Sequence, residues 1–177
     1  KLMMLNGLAA VTVGRSHGIE SKNIQSALRG FTAVNKRMQI MTIGGVTIVN
    51  DSYNANPDSV LSALETLASM RCSGKKIVVL GDMLELGEAS VEEHQKIGHA
   101  VKRLGFEYLL TFGPFATEMN STAQVKVNSH FEQKRKLSEH LLEHLTPGDI
   151  VLVKGSRGMK MEEIVAFLQK TLGSSAA

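Results

Sequence analysis

The spacing of apolar residues changes period several times along the chain, and each change marks an element. Residues 2–13 are mostly apolar and read as a helix, too short to span a bilayer and interrupted by Asn6, Gly7 and Thr12. A second helix is predicted from about 22 to 29, with Ile24, Ala27, Leu28 and Phe31 at helical spacing and Gly30 as its stop. Residues 38–42 and 46–49 are β-type runs around Gly44-Gly45, a hairpin signal.

From there helix and strand alternate. Pro57 stands at a first helical position behind Asn56, a good N-cap, and Val60, Leu61, Leu64, Leu67 and Ala68 form one apolar face. Residues 77–80 are a short continuous apolar run, as in a strand buried on both faces. Further strands are predicted at 108–112 and 150–153, with a shorter one at 125–127. Ser90-Val-Glu-Glu93 reads as a capping box for a helix carrying Ile97, Ala100, Val101 and Leu104 up to Gly105. Ser129-His-Phe-Glu132 reads as a second box, for a helix carrying Leu137, Leu141, Leu142 and Leu145 and ended by Pro147-Gly148. Met161, Ile164, Val165 and Leu168 make a last helix, followed by a frayed tail at 173–177. The expected fold is an open α/β sheet, mostly parallel and covered on both faces, with the hairpin adding one antiparallel edge strand.

Composition narrows the picture in a few places. At 177 residues there is material for one domain with a core, or for one domain and a fragment of another. The net charge of +3 is spread along the chain, without the clustered, aromatic-interleaved basic patch of a nucleic-acid binder. Cys72 is the sole cysteine, so no internal disulfide forms and no paired Cys/His zinc spacing exists; a reducing compartment fits. His140 and His144 are four apart but lack a third ligand, so no metal site is assigned. No G-x-x-x-x-G-K-[ST] occurs, and Gly74-Lys75-Lys76 precedes a strand instead of following one. Lys1 is not an initiator, and the chain reads as if it starts inside a helix of something larger.

Ligands of open α/β sheets sit beyond the carboxyl ends of the strands. Three polar or glycine-bearing stretches fall there, each leading into a helix: residues 50–56, residues 81–87 and residues 154–159. Helix starts present N–H groups to an anion, and Lys154 and Arg157 add charge. Each stretch alone is explained by turn and cap chemistry; three at one sheet edge point to a site. Asp51, at a strand end and off the core face, is expected to be replaceable without unfolding the protein.

"NDSYNANPDS", "VVLGDMLELG" and "VLVKGSRGMKMEEIV", in that order and spacing, resemble the C-terminal part of the Mur ligase family. "LNGLAA" resembles the end of a helix in that family's central ATPase domain, and "FTAVNKRMQI" its join to the C-terminal domain. The resemblance implies a Rossmann-like three-layer α/β/α domain at 36–177, preceded at 1–35 by a helical remnant of the central domain. It implies a cytoplasmic, monomeric ligase that uses ATP and Mg2+, both held mainly by a P-loop domain. Within the family the motifs are most like the member that joins D-Ala-D-Ala to UDP-N-acetylmuramoyl-tripeptide through an acyl phosphate. No membrane or nucleic-acid partner is implied.

Carried over residue by residue, the resemblance places Asn6 at adenine, Arg37 near the phosphates and Asp51 at the ribose, with Tyr53, Asn54 and Asn56 lining the same cleft. Asp82 and Leu84 in one loop, with Lys154, Ser156 and Arg157 in another, would face the dipeptide and its carboxylate. None of these is a covalent catalyst, and this chain alone is expected to be inactive. Similar enzymes usually show Asp-Asp where this chain has Asn50-Asp51, so Asn50 is expected to be structural. The alternative is a free-standing nucleotide- or phosphate-binding module; a continuous upstream P-loop domain separates the two.

Overall fold

The computed structural model describes residues 2–30 and 35–174, with side chains from residue 6 onward. The chain divides into two compact units, 1–33 and 34–177. Phe31, placed above on the second helix, and the tail residues 175–177 lie outside the described residues. The first unit is a helix pair, α1 (Leu2–Ser16) and α2 (Ser21–Arg29). Ile24 of α2 packs close to Gly14 of α1, while Leu8, Val13, Ile19 and Leu28 are exposed. Among the described residues no helix is long and apolar enough to cross a membrane.

The second unit is a six-stranded sheet between two layers of helices. In chain order its elements are β1 (Gln39–Ile43), β2 (Val46–Asp51), α3 (Pro57–Ser69), β3 (Lys76–Gly81), α4 (Ser90–Arg103), β4 (Tyr108–Phe112), α5 (Ala116–Ala123), β5 (Val127–Phe131), α6 (Lys134–His144), β6 (Ile150–Lys154) and α7 (Glu162–Ser174). The strand order is β1-β2-β6-β3-β4-β5. Only β1 and β2 pair antiparallel, so β1 is the antiparallel edge and every other pairing is parallel. β6, the last strand in sequence, lies between β2 and β3.

The continuous apolar runs are explained by this layering. Along β6, Ile150 and Leu152 face one core with Val60, Leu64 and Leu67 of α3 and Ile97 and Val101 of α4. Val151 and Val153 face the other, with Leu137 and Leu141 of α6 and Ile164, Val165 and Leu168 of α7. Each such side chain, fully buried, is worth about 1.5–3 kcal/mol, so both periods of the strand must be apolar. At the amino end of β6 the buried Asp149 pairs with Lys75 at 3.0 Å and accepts the N–H groups of Lys75 and Thr146. Burial works against its charge, yet those N–H groups and the Lys75 ammonium hold its carboxyl below the usual carboxylate range.

Four local expectations are revised. Ser90 does not cap α4: it is the buried first residue of that helix, the chain arriving through a 3-10 turn at Gly87–Ala89. Ser129 does not cap α6 but lies inside β5, and α6 starts at Lys134 without a side-chain cap. The strand expected at 125–127 is the longer Val127–Phe131, an edge strand whose half-buried residues lack an apolar run. α5 was not predicted at all; its N-terminal N–H at Ala116 is capped from 34 residues away, by the Asp82 carboxylate at 2.7 Å. Asn56 caps α3 as expected, and the structure adds Ser59, whose hydroxyl returns a bond from the Asn56 N–H.

α4 and α5 approach closely at Gly98, where a Cβ would overlap the Met119 carbonyl and the Thr122 hydroxyl. Gly98→Ala should therefore lower stability by about 1–3 kcal/mol, the cost of overpacking. Gly173→Ala, with nothing near its Cβ, should not. Urea unfolding midpoints of the two variants check this, and equal midpoints would disprove the close approach.

Candidate functional site

The three loops named from the sequence follow β2, β6 and β3, which are neighbours, so their carboxyl ends form one stretch of sheet edge. What joins the loops is a set of buried polar side chains. Lys154, 3% exposed in its side chain, places Nζ 2.6 Å from Asp51 Oδ2 and donates also to the Asn54 carbonyl at 2.9 Å. Asp51 accepts the Met38 N–H through Oδ1 at 2.9 Å. Buried Ser156 donates its hydroxyl to the Ala55 carbonyl at 3.1 Å, accepts the Leu84 N–H at 2.8 Å, and gives its own N–H to the Asp82 carbonyl. One serine thus touches all three loops. Asn50 is structural as expected: buried, its Oδ1 takes both the N–H and the hydroxyl of Ser52.

Two glycines allow this closeness. A Cβ on Gly81 would lie 2.8 Å from the Met161 sulfur, and one on Gly155 would lie 2.7 Å from Met161 Cγ and 3.1 Å from the Gly81 Cα. The ends of β3 and β6 therefore meet beneath one buried methionine.

The candidate residues fall into two groups. Lys154, Ser156 and Asp82 are buried and Asp51 is half-buried; all four are bonded to neighbouring loops or helices. Arg37, Tyr53, Asn54, Asn56, Leu84 and Arg157 are exposed at the edge. Asn54 accepts the Arg157 N–H through Oδ1 at 3.3 Å, while the Asn56 side-chain oxygen is taken by the α3 cap. Asn6 is an exposed residue of α1, in the first unit. The expectation that Asp51 can be replaced without unfolding the protein meets a stability cost, since removing it leaves the Lys154 ammonium buried without its counter-charge.

Residues not singled out from the sequence also shape this edge. His94, fully buried, accepts the Met83 N–H at Nε2 (3.0 Å), which fixes its proton on Nδ1, donated to the Ser90 carbonyl. It holds the loop after β3. Lys36 pairs with Glu162 at 2.9 Å and its carbonyl accepts the Tyr53 N–H, so the segment before β1 is fastened to this edge. No local pattern marks either role. Asp82 keeps one carboxylate oxygen, Oδ2, buried and without a hydrogen-bond partner among the described residues. Burial raises its pKa above the ordinary 3.8, against the lowering effect of the Ala116 and Phe115 N–H groups and of His94 and His130.

Among the described residues, His140, Glu143 and His144 of α6 bring ligand atoms within 4.8 Å of one another. The third group lacking in the sequence reading is thus close by. α6 packs against the sheet after β5; its first residue, Lys134, donates to the carbonyls of Met159 and Lys160 at the end of the loop after β6, while the three ligand atoms lie toward the other end of the helix.

Comparison with known proteins places these features in a context. Residues 36–157 match the family model for the Mur ligase, glutamate ligase domain. The chain is 34% identical over 170 residues to a UDP-N-acetylmuramoyl-tripeptide–D-alanyl-D-alanine ligase of Bacillus subtilis, covering 93% of the chain and 37% of the relative. The enzyme of the same name from Escherichia coli is 34% identical over 168 residues, covering 93% and 36%. The chain thus spans little more than a third of the length of these relatives. A MurF ligase structure from Thermotoga maritima, in complex with ADP, superposes on 98% of the chain with TM-score 0.83 at 29% identity, using 39% of that protein. A MurF structure from Acinetobacter baumannii gives the same TM-score at 25% identity over 94% of the chain.

Two stability measurements follow from the buried groups. Asp51→Ala should cost about 3–5 kcal/mol, as breaking a buried pair does, and the double variant Asp51→Ala with Lys154→Met should cost clearly less than the sum of the singles. Additive losses in urea unfolding would mean that the two groups are not coupled. For Asp82 the sign runs the other way from an ordinary ion-paired acid. Its folded pKa is raised, so as pH climbs from below 3.8 the unfolded chain loses the proton first, and stability contributed by the protonated form is lost through the folded pKa. Asp82→Asn keeps an oxygen for the Ala116 N–H, and should remove that part of the pH slope while leaving the neutral-pH chain at least as stable. A markedly less stable Asn variant at neutral pH would show instead that α5 needs the charge.

Proposed function

The chain belongs to the Mur ligase family, and we propose that it is the C-terminal portion of an ATP-dependent ligase that joins D-Ala-D-Ala to UDP-N-acetylmuramoyl-tripeptide in peptidoglycan precursor synthesis. The observation that supports this most is the meeting of the three loops on adjacent strand ends, in a chain similar along 93% of its length to relatives named for that reaction. The reading divides the chain at 35/36, with the α1–α2 pair as part of a central ATP-binding domain and the rest as the C-terminal domain. It places the protein in the cytoplasm.

A carboxylate is a poor electrophile, and the phosphoryl group of ATP supplies the activation, as an acyl phosphate that the dipeptide amine displaces. The protein's share is positioning, charge stabilisation and exclusion of water. In this reading Tyr53 and Asn54 line the nucleoside side, with Asn56 at its margin. Asp51 accepts from the ribose: a carboxylate oxygen bonded once still has a lone pair to offer. For the complete ligase, Asn6 is read as an adenine contact. Leu84 offers exposed apolar surface suited to a methyl group, beside the loop that carries Arg157. Lys154 and Ser156, being buried, act as positioning residues that set where Asn54, Leu84 and Arg157 stand.

The fit to ATP is through cations and amides. The fit to Mg2+ is poor, since a hard cation takes six or more oxygens, and of the three carboxylates in the three loops Asp51 is hydrogen-bonded on both oxygens, Asp82 has a raised pKa, and Glu85 alone is exposed. Magnesium is therefore assigned to the phosphates and to a P-loop domain, a motif not found in these 177 residues.

The test has two arms. Purified chain incubated with ATP, magnesium, the tripeptide precursor and D-Ala-D-Ala should release no phosphate above blank. The complete ligase carrying this chain should release phosphate and form the joined pentapeptide product only when acceptor and dipeptide are both present. Steady release by the chain alone, surviving repurification, sinks the fragment reading; a complete enzyme that ignores the dipeptide sinks the substrate assignment.

A further inference from the structure

Two arginines share one tyrosine at the site edge. The Arg37 guanidinium carbon lies 4.2 Å from the centroid of the Tyr53 ring, and that of Arg157 lies 5.3 Å from the same centroid. Arg157 Nη1 also donates to Tyr53 Oη at 3.4 Å. All three side chains are exposed. Among the described residues neither arginine has a carboxylate partner. The ring's quadrupole draws both cations while their like charges repel each other, so the arrangement is completed by an anion that both can reach.

The backbone on both sides is built to keep them there. Lys36 and Met38, which flank Arg37, have φ of 65° and 47°, a left-handed conformation that residues with a Cβ seldom adopt. It persists because the segment is tied on three counts: the Lys36 carbonyl accepts the Tyr53 N–H, the Lys36 ammonium pairs with Glu162, and the Met38 N–H bonds Asp51. Strain that is held in place by surrounding bonds is a mark of a side chain aimed for use. Arg157 is held from the other side through its N–H to Asn54 Oδ1.

We propose that Arg37, Tyr53 and Arg157 form one phosphoryl clamp, so that Arg157 belongs to the phosphate side of the site and not to the dipeptide carboxylate. A carboxylate occupies one guanidinium fork; two forks brought to a single ring match an array of phosphoryl oxygens carrying more than one charge. Tyr53 sets the spacing between the forks. The identity of the phosphoryl owner, a polyphosphate or an acyl phosphate, rests on the ligase reading. The clamp rests only on the geometry of this edge.

The chain has two tyrosines and no tryptophan, so in a Tyr108→Phe background its emission reports Tyr53 alone. That protein is titrated at low salt with tripolyphosphate, inorganic phosphate and D-Ala-D-Ala. Tripolyphosphate should change the emission saturably and phosphate more weakly, with no effect of the dipeptide. Arg37→Ala and Arg157→Ala should each weaken tripolyphosphate about tenfold or more, as loss of charged hydrogen bonds does, and Arg157→Lys should recover only part. The clamp is overturned if tripolyphosphate leaves the emission unchanged, if Arg157→Ala binds it as tightly as its parent, or if the dipeptide gives a response that disappears with Arg157. The exposed variants are expected to fold, and unchanged urea midpoints verify it. Tripolyphosphate binding by the chain, beside a complete enzyme that forms no peptide product, would leave the clamp standing and remove the ligase reading.

Discussion

A lysine ammonium and an aspartate carboxylate, 2.6 Å apart at the ends of β6 and β2, hold this edge of the molecule in register. An exposed pair of this kind contributes little, because water serves either ion as well as its partner does. Here the Lys154 side chain is 3% exposed and that of Asp51 13%, so either group alone would be stranded. The pair also dictates the course of the chain. Lys154 takes the Asn54 carbonyl, Asp51 takes the Met38 N–H, and the loop before α3 is thereby shaped by residues on both sides of it in the sheet. Tyr53 faces outward next to Ser52, which is buried against Asn50.

That division between inward and outward groups explains what the sequence could convey about the site. The loops themselves were legible, since each breaks an apolar strand with asparagine, aspartate, glycine or a cation, and the strand order then sets them side by side. The roles within them were not. Lys154 and Arg157 are two cations three residues apart, and nothing local distinguishes the one buried against Asp51 from the one standing free over Tyr53. Their partners are more than 100 residues away in sequence, and burial is decided by the pairing of β2 with β6. Asn56 is the opposite case, where Asn-Pro ahead of a helical pattern was enough to place the cap.

The elements follow the same rule. β2, β3, β4 and β6 were visible as apolar runs, and α3 and α7 by their periodicity, because in each the signal is the buried face itself. α5 escaped because its short sequence is rich in Thr, Ser and Asn and its cap comes from Asp82 at the end of β3. Ser90 and Ser129 matched a capping pattern, but a 3-10 turn and an edge strand took those positions for reasons of packing and pairing. Local chemistry proposes a helix start; the sheet decides whether there is room for it.

Gly81, Gly155 and Met161 carry a consequence for how this edge tolerates change. The methionine fills the space that a side chain on either glycine would need, and a Cβ on Gly155 would also crowd the Gly81 backbone. The three positions behave as a cassette. A larger residue at either glycine is blocked unless Met161 shrinks, and a smaller residue at 161 leaves a void unless a glycine grows. Because the three come from loops about 75 residues apart and a helix start, transplanting the loop after β6 into another relative succeeds only when the loop after β3 and the start of α7 travel with it.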